Sequence, residues 1–237
     1  MKNKINLNAE LELKLKNFGA DFVCFVNVTS LSNEQNRGYC NAILFGIALS
    51  KNYINHVANT PNYVKKRIKN NFDFSDDELY LTELKIDEIS DQIANLLISE
   101  NYKAYSLSDK NQIATGSFDG KYGKTILPHK TIATLAGIGW IGKNNLLVTE
   151  KFGSAICLGV VLTDAPLNTI SNDTIKSKCG DCDICLEVCE SKALKGQIWN
   201  TSIQREDMID VKKCTTCINC LVFCPYTQKY LKTPDTL

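Results

Sequence analysis

Two cysteine runs near the C-terminus constrain this chain more than any other feature. Both have the spacing Cys-x2-Cys-x2-Cys-x3-Cys, and together they hold eight of the eleven cysteines: Cys179, Cys182, Cys185 and Cys189, then Cys214, Cys217, Cys220 and Cys224. The segments CGDCDICLEVCESKAL and CTTCINCLVFCPYTQK align at an offset of 35 residues, so the runs form an internal repeat. The repeat predicts two similar loop–helix units related by a local two-fold.

This spacing is typical of cysteines that bind [4Fe–4S] clusters in bacterial ferredoxins. Three cysteines at three-residue intervals can wrap one loop around three irons of a cubane. In two-cluster ferredoxins, the fourth cysteine of each run ligates the other cluster. By that arrangement, Cys224 completes the cluster of the first run and Cys189 completes that of the second. Pro225 matches the Cys-Pro ending of the motif, whereas the first run has Glu190 there. We therefore predict two [4Fe–4S] clusters.

Clustered cysteines can also bind zinc or form disulfides. Structural zinc sites use paired Cys-x2-Cys hooks with a longer spacer, which three consecutive intervals of three fit poorly. The start, MKNKINLNAELELKLKN, lacks the apolar segment of a secretory signal, so we expect a cytoplasmic protein with reduced thiols. Cys24, Cys40 and Cys157 lie in apolar strand contexts and are predicted to be core residues.

Composition limits the classes of function that remain. The 237 residues are 44% hydrophobic, enough for one large domain and a small module. The net charge is +1, which gives no sign of strong nonspecific binding to nucleic acid. No apolar run approaches the ~20 residues of a membrane helix, so we expect no membrane association.

Helix and strand patterns alternate before the cysteine runs. Helical patterns cover 7–18, 60–70, 86–100 and 129–137, and strand patterns cover 21–28, 41–50, 101–107, 145–149 and 155–163. Thr60 and Pro61 have the types favoured at the first positions of a helix. The alternation predicts an α/β domain over residues 1–172, followed by a cluster module over residues 173–237.

A glycine-rich segment lies between these parts. Gly137, Gly139 and Gly142 surround Trp140 and Ile141, and we call residues 139–144 the Gly-Trp segment. It lacks the strand-to-helix context of a dinucleotide-binding motif. Glycines this close permit a tight turn with the tryptophan in the core, or a close approach of backbone to ligand. The local sequence leaves both interpretations open.

The order AGIGWIGKNNLLVT, GSAICLGVVLTDAPL and CGDCDICLEVC resembles epoxyqueuosine reductases, which carry a near-identical AGLGWIGKN block before a two-cluster module. The resemblance implies an α/β core of the nitroreductase-like and reductive-dehalogenase-like kind that binds cobalamin, followed by a ferredoxin-type module. In those enzymes the nearer cluster passes electrons to cobalt. It also implies a low-potential electron donor such as ferredoxin or flavodoxin, and a small-molecule or modified-nucleoside substrate.

The resemblance assigns eight residues to the corrin site: Gly139, Trp140, Ile141, Gly142, Lys143, Asn144, Thr163 and Asp164. For Lys143, the alternative is an ordinary surface lysine. Typical members also carry an acidic proton donor in a Pro-x-x-Glu-Arg segment, but this chain has Pro128-His129-Lys130-Thr131 there. His129 is the candidate proton donor because imidazole titrates near neutrality; its alternative is a local hydrogen bond at a helix start.

Typical members continue into a helical-repeat domain that grips tRNA, whereas this sequence ends at Leu237. We therefore expect a short form without that kind of tRNA binding. The residues leave a second function open, namely an electron-transfer or corrinoid-reducing protein without its own organic substrate. A third is a cluster protein whose α/β domain binds flavin or nothing.

Overall fold

The structure is a computed structural model that describes residues 6–71, 73–119, 123–172 and 174–234. These residues form two compact units, each assembled from three separate segments. The first unit comprises the described residues of Met1–Ile47, Thr82–Ile138 and Cys157–Thr174. The second comprises those of Ala48–Leu81, Gly139–Ile156 and Ile175–Leu237. Both cysteine runs and the Gly-Trp segment therefore belong to the second unit.

Helices and short strands alternate along most of the chain, as the sequence pattern predicts. The helices are α1 (Leu7–Asn17), α2 (Asn33–Asn36), α3 (Lys51–Ala58), α4 (Tyr63–Lys69), α5 (Glu78–Ser99), α6 (Asp109–Ala114), α7 (His129–Leu135), α8 (Ile184–Glu187), α9 (Arg205–Met208), α10 (Asn219–Val222) and α11 (Pro225–Leu231). The strands are β1 (Phe22–Asn27), β2 (Asn41–Ala48), β3 (Ala104–Ser106), β4 (Phe118–Asp119), β5 (Lys124–Thr125), β6 (Gly139–Ile141), β7 (Leu147–Thr149) and β8 (Ile156–Thr163).

A four-stranded sheet with the order β1-β2-β8-β3 lies largely in the first unit. The β1–β2 and β3–β8 pairs are antiparallel. Most residues of the two inner strands are buried, as their continuous apolar runs predict. Gly159 in β8 leaves room for the ring of Phe45 in β2, since a Cβ there would lie 2.2 Å from that ring. The predicted mixed α/β character of the first part is confirmed.

Amphipathic helices supply much of the remaining core. α1 buries Leu11 and Leu15, and the Asn6 side chain caps it by accepting a hydrogen bond from the amide of Asn8. α5 buries its predicted isoleucine stripe but begins at Glu78, eight residues before the predicted start at Ile86. Among the described residues, no helix combines the length and the apolar character needed to cross a bilayer.

In the second unit, α3 contacts both α10 and α11. Ser50 caps α3 by accepting a hydrogen bond from the amide of Tyr53 at 3.0 Å. The predicted start of the next helix at Thr60-Pro61 is wrong, because α4 begins at Tyr63. Asn62 precedes it in the left-handed conformation, with φ 57°, and its side chain makes no capping bond.

The domain boundary predicted between residues 172 and 173 stays a prediction, and the two compact units divide the chain in another way. The predicted boundary coincides only with the last segment of the second unit, which begins at Ile175. The unit also takes in Ala48–Leu81, because α3 packs on α10 and α11, and Gly139–Ile156, because Trp140 packs on Cys224. Contacts between residues far apart in sequence therefore decide the composition of the cysteine-bearing unit.

Candidate metal centre

Four thiols from both cysteine runs form the first thiol group: Cys179, Cys182, Cys185 and Cys224. The pKa of Cys185 is raised to about 12, first by burial and then by repulsion from Cys179, Cys224 and Cys182. Cys224 and Cys179 also pack against the same tryptophan, Trp140. The last cysteine of the second run therefore lies with the first three cysteines of the first run.

We assign the other four cysteines to a second thiol group: Cys189, Cys214, Cys217 and Cys220. The pKa of Cys220 is raised to about 12, first by burial and then by repulsion from Cys217 and Cys214, followed by Cys185 and Cys189. Burial opposes ionisation of Cys189 as well. Hydrogen bonds from the backbone of Leu194 and Ala193 outweigh that effect and lower the pKa of Cys189. These hydrogen bonds favour the thiolate form of Cys189.

Each group offers four thiols, the number that one cubane cluster needs, and each takes its fourth thiol from the other run. Metal binding removes the protons of such thiols outright, so their raised pKa values do not prevent ligation. Among the described residues, no three His, Cys, Asp or Glu side chains converge on a point where one metal ion could bind. The donor set fits two clusters, and the ligand assignment stays a prediction that these groupings support.

The Gly-Trp segment folds into the β6–β7 hairpin, which is buried beside the cysteines of the second unit. A Cβ at Gly139 would lie 2.3 Å from the carbonyl oxygen of Val148. A Cβ at Gly142 would lie 2.6 Å from Oδ1 of Asn144. The glycines thus permit close contact within the hairpin itself, which supports the turn interpretation of this segment.

Trp140 is only 1% exposed and lies in a small apolar cluster. The cluster contains Val148 and Cys224, with Cys179 and Tyr226 packed against it. The ring of Tyr226 meets the indole edge-on, with 4.8 Å between ring centroids. Within the described part of the chain, the indole Nε1 is buried and has no hydrogen-bond partner. An unpaired buried donor costs about 1–3 kcal/mol, so this position calls for an acceptor.

Lys143 is buried, so the surface-lysine interpretation is wrong. Its Nζ donates a hydrogen bond to Oδ1 of Asp183 at 2.7 Å, and this bond raises the pKa of Lys143. Asp183 directly follows Cys182, so the ion pair fastens the Gly-Trp segment to the first cysteine run.

Asn144 makes the corresponding connection to the second cysteine run. Its Nδ2 donates to Oγ of Ser154 at 2.9 Å and to the carbonyl oxygen of Cys220 at 3.2 Å. Its Oδ1 accepts from the amide of Leu146 at 3.1 Å. The structure therefore brings the predicted corrin-site residues 139–144 together with the cysteines.

The remaining predicted site residues lie in the first unit. Thr163 Oγ1 donates to the carbonyl oxygen of Lys103 at 2.8 Å, and the amide of Lys103 donates to Oδ1 of Asp164 at 2.7 Å. These bonds hold the end of β8 against the residue that precedes β3. The corrin contacts of Thr163 and Asp164 stay predictions.

His129 is the first residue of α7 and is half-buried. Its Nε2 donates to the carbonyl oxygen of Leu107 at 3.0 Å, and burial lowers the pKa of the imidazole. The structure thus contains the local hydrogen bond that we named as the alternative. The role of His129 as a proton donor stays a prediction.

Sequence reasoning missed several supporting residues. The spacing of the cysteine runs specifies neither Asp183 nor Ser154. Only the folded chain reveals that they bind Lys143 and Asn144. A buried carboxylate at Asp77 was missed as well. It accepts hydrogen bonds from the hydroxyls of Tyr53 and Tyr63 at 3.1 and 2.7 Å. These two hydrogen bonds explain how the Asp77 carboxylate can be buried, and they indicate a structural role.

Comparisons with known proteins identify relatives of this chain. No protein-family model matches it. It is 36% identical to the epoxyqueuosine reductase of Listeria monocytogenes over 112 residues, covering 41% of this chain and 29% of that protein. It is 26% identical to the epoxyqueuosine reductase of Lactococcus garvieae over 169 residues, covering 65% of this chain and 43% of that protein. The chain thus matches less than half the length of these relatives, and the resemblance drawn from its motifs is confirmed.

Solved structures share the fold at low sequence identity. The epoxyqueuosine reductase of Streptococcus thermophilus has a TM-score of 0.55 at 16% identity, covering 94% of this chain and 67% of that one. A reductive dehalogenase, whose structure suggests a mechanism for B12-dependent dehalogenation, has a TM-score of 0.67 at 18% identity, covering 100% of this chain and 34% of that one. The predicted likeness to the reductive-dehalogenase fold is confirmed, whereas the ferredoxin-type character of the C-terminal module stays a prediction.

Proposed function

We propose that this chain is an iron–sulfur oxidoreductase related to epoxyqueuosine reductases, in which two [4Fe–4S] clusters deliver electrons to bound cobalamin for reduction of a substrate. The observation that carries this proposal is the exchange of fourth thiols between the runs. Cys224 packs with Cys179 around Trp140, which supports this exchange, and the grouping of Cys189 with Cys214, Cys217 and Cys220 is assigned from the motif. Zinc hooks or buried free thiols need no such exchange, whereas paired cubanes of the ferredoxin kind use it.

When bound, the clusters supply one-electron transfer and cobalamin supplies the strongly reducing centre that acts on the substrate. The protein's own groups bind and shield these cofactors. Trp140 and Val148 cover Cys224 with apolar surface and keep water from this thiol. Lys143, paired with Asp183, places a cation near the thiols of Cys179 and Cys182. That cation offsets part of the negative charge which the thiolates bring into a buried site.

Two observations support cobalamin as the second cofactor. The curated relatives are epoxyqueuosine reductases, and a structural neighbour is described in connection with B12-dependent dehalogenation. We assign residues 139–144 together with Thr163 and Asp164 to the corrin site on the strength of the family resemblance. The proposed partner is a low-potential donor such as ferredoxin or flavodoxin. A modified nucleoside is the first substrate to test, because the relatives are named for epoxyqueuosine.

Anaerobic reconstitution followed by a titration with hydroxocobalamin tests the cofactor assignment. We expect the visible spectrum of the corrin to change and to saturate near one equivalent per chain. The reconstituted protein should then reduce the bound cobalamin when dithionite is supplied. An unchanged corrin spectrum, with both clusters intact by iron and sulfide analysis, would overturn the cobalamin assignment.

A second candidate is an electron-transfer protein that reduces a corrinoid without a substrate of its own. The observation that favours it is the hydrogen bond between His129 and Leu107, which occupies the Nε2 proton of the candidate donor. Turnover of an RNA stem-loop that contains epoxyqueuosine separates the two functions. Reduction of the epoxide supports the enzyme, and a His129→Ala variant with full turnover would exclude this histidine as the proton donor.

A further inference from the structure

The indole N–H of Trp140 is a buried donor in an apolar cluster that contains two cysteines. The side chains of its apolar cluster are those of Val148, Ile175, Tyr226 and two cysteines, Cys179 and Cys224. Within the described residues, Nε1 has no hydrogen-bond partner. The side chain is only 1% exposed, so bulk water does not supply an acceptor either. A phenylalanine would fill an apolar position of this kind without the cost of an unpaired donor.

A hydrogen-bond acceptor next to Nε1 would explain why this position has a tryptophan and not a phenylalanine. Cys179 and Cys224 are both assigned to the first thiol group, although they come from different runs. A cubane cluster held by this group would have sulfide and thiolate sulfurs next to the indole, because Cys179 and Cys224 pack with Trp140. Hydrogen bonds to such sulfurs are among the means by which a protein sets the potential of a cluster.

We propose that Trp140 Nε1 donates a hydrogen bond to a sulfur of the cluster held by Cys179, Cys182, Cys185 and Cys224, and thereby raises its reduction potential. The inference rests on the cluster assignment made above, and it gives the tryptophan a tuning role at the cluster. One electron from the donor increases the negative charge on the sulfurs. A fixed N–H dipole therefore stabilises the reduced cluster more than the oxidised one.

The chain offers a matched design for testing this bond. It contains two tryptophans, Trp140 and Trp199. In a Trp199→Phe background, the indole of Trp140 can be replaced by benzothienylalanine, which has nearly the same shape but carries sulfur in place of N–H. Trp140→Phe removes the donor in an all-natural chain, and Trp199→Phe alone is the control.

Redox titration with EPR detection is the measurement. We expect one of the two clusters to become harder to reduce in both Trp140 variants, with about a tenfold lower ratio of reduced to oxidised cluster at a fixed potential, or ~59 mV. The other cluster and the Trp199→Phe control should be unchanged. After exchange into D2O, the reduced wild type should show an exchangeable deuteron coupled to that cluster, and the variants should lack it.

The outcomes separate this inference from the function on which it rests. If the wild type holds no iron and sulfide, the cluster assignment fails and the hydrogen bond fails with it. If both clusters are present in every variant and neither potential nor the deuteron coupling changes, the hydrogen bond is refuted while the proposed function stands. Loss of the coupling together with the lowered potential supports the bond.

Discussion

Asn144 joins the Gly-Trp segment to its surroundings through three hydrogen bonds made by one side chain. Asn144→Ala would leave the buried hydroxyl of Ser154 and the carbonyl of Cys220 without this donor, at a cost of about 1–3 kcal/mol in the free energy of unfolding. Chemical denaturation of the reconstituted protein measures this loss. The exposed Asn168 provides a control, and Asn168→Ala should change stability by less than about 0.5 kcal/mol. Equal losses for the two variants would contradict the anchoring role.

The ionisation of Asp87 makes the stability of the first unit depend on pH. Burial raises the pKa of this half-buried carboxyl to about 6, and nearby Asp109 and Asp91 add repulsion, while the hydrogen bond from the amide of Asp109 opposes the shift. The folded state therefore holds this proton more tightly than the unfolded state. The Asp87 contribution favours folding below about pH 4 and is lost as the pH rises to about 6.

Asp87→Asn removes this penalty and keeps an oxygen that can accept from the amide of Asp109. We expect the Tm at pH 7 to rise by about 2 °C, with a smaller change at pH 5, because the wild-type carboxyl is largely protonated there. Thermal unfolding at the two pH values measures the difference. If Asp87→Asn lowers the Tm by the same amount at pH 5 and pH 7, the Asp87 carboxylate stabilises the folded state instead.

At the scale of elements, the β6–β7 hairpin depends on a glycine that cannot be replaced. The Cβ of Gly139→Ala would lie 2.3 Å from the carbonyl oxygen of Val148, so the strands must separate. We expect a loss of about 3 kcal/mol in the free energy of unfolding, and poor retention of iron because the hairpin carries Trp140. Gly116→Ala is the matched control.

An added Cβ at Gly116 meets nothing within 4 Å, although its φ of +69° disfavours alanine by about 1 kcal/mol. Thermal or chemical unfolding compares the two variants directly. The steric account of the hairpin fails if Gly139→Ala is no more destabilising than Gly116→Ala.

The sequence predicts those elements whose signal is local. The stripe Ile86, Ile89 and Ile93 identifies the helix α5, but its first turns expose Leu81 and Leu84, so periodicity does not reveal the start at Glu78. Thr60 and Pro61 have the right types for a helix start, yet the left-handed Asn62 moves the first turn to Tyr63. Strand β6 has only three residues, and its pairing with β7 makes it a strand.

At the scale of the whole molecule, the sequence predicts two groups of four thiols, whereas it does not predict the composition of the unit that holds them. Ligand spacing is a local property, so the exchange of Cys189 and Cys224 follows from the motif. The inclusion of α3 depends on contacts with α10 and α11, more than 150 residues further along the chain, and no feature of Lys51–Ala58 specifies them. The same holds for the pairing of Lys143 with Asp183.

The exchange of fourth ligands predicts how pairs of cysteine variants combine. Cys189→Ala with Cys217→Ala should disable one cluster and leave about half of the iron, because both residues are assigned to the second thiol group. Cys189→Ala with Cys182→Ala should disable both clusters and leave little iron. Double variants of residues at one site are non-additive, so iron analysis of the anaerobically purified proteins distinguishes the assignments. The reverse result would show that each run keeps its own fourth cysteine.

Iron and acid-labile sulfide analysis of the anaerobically reconstituted wild-type chain tests the central claim most directly. Two [4Fe–4S] clusters predict about eight irons and about eight sulfides per chain, with an EPR signal that develops on reduction. A chain that binds zinc and contains no acid-labile sulfide would contradict the account.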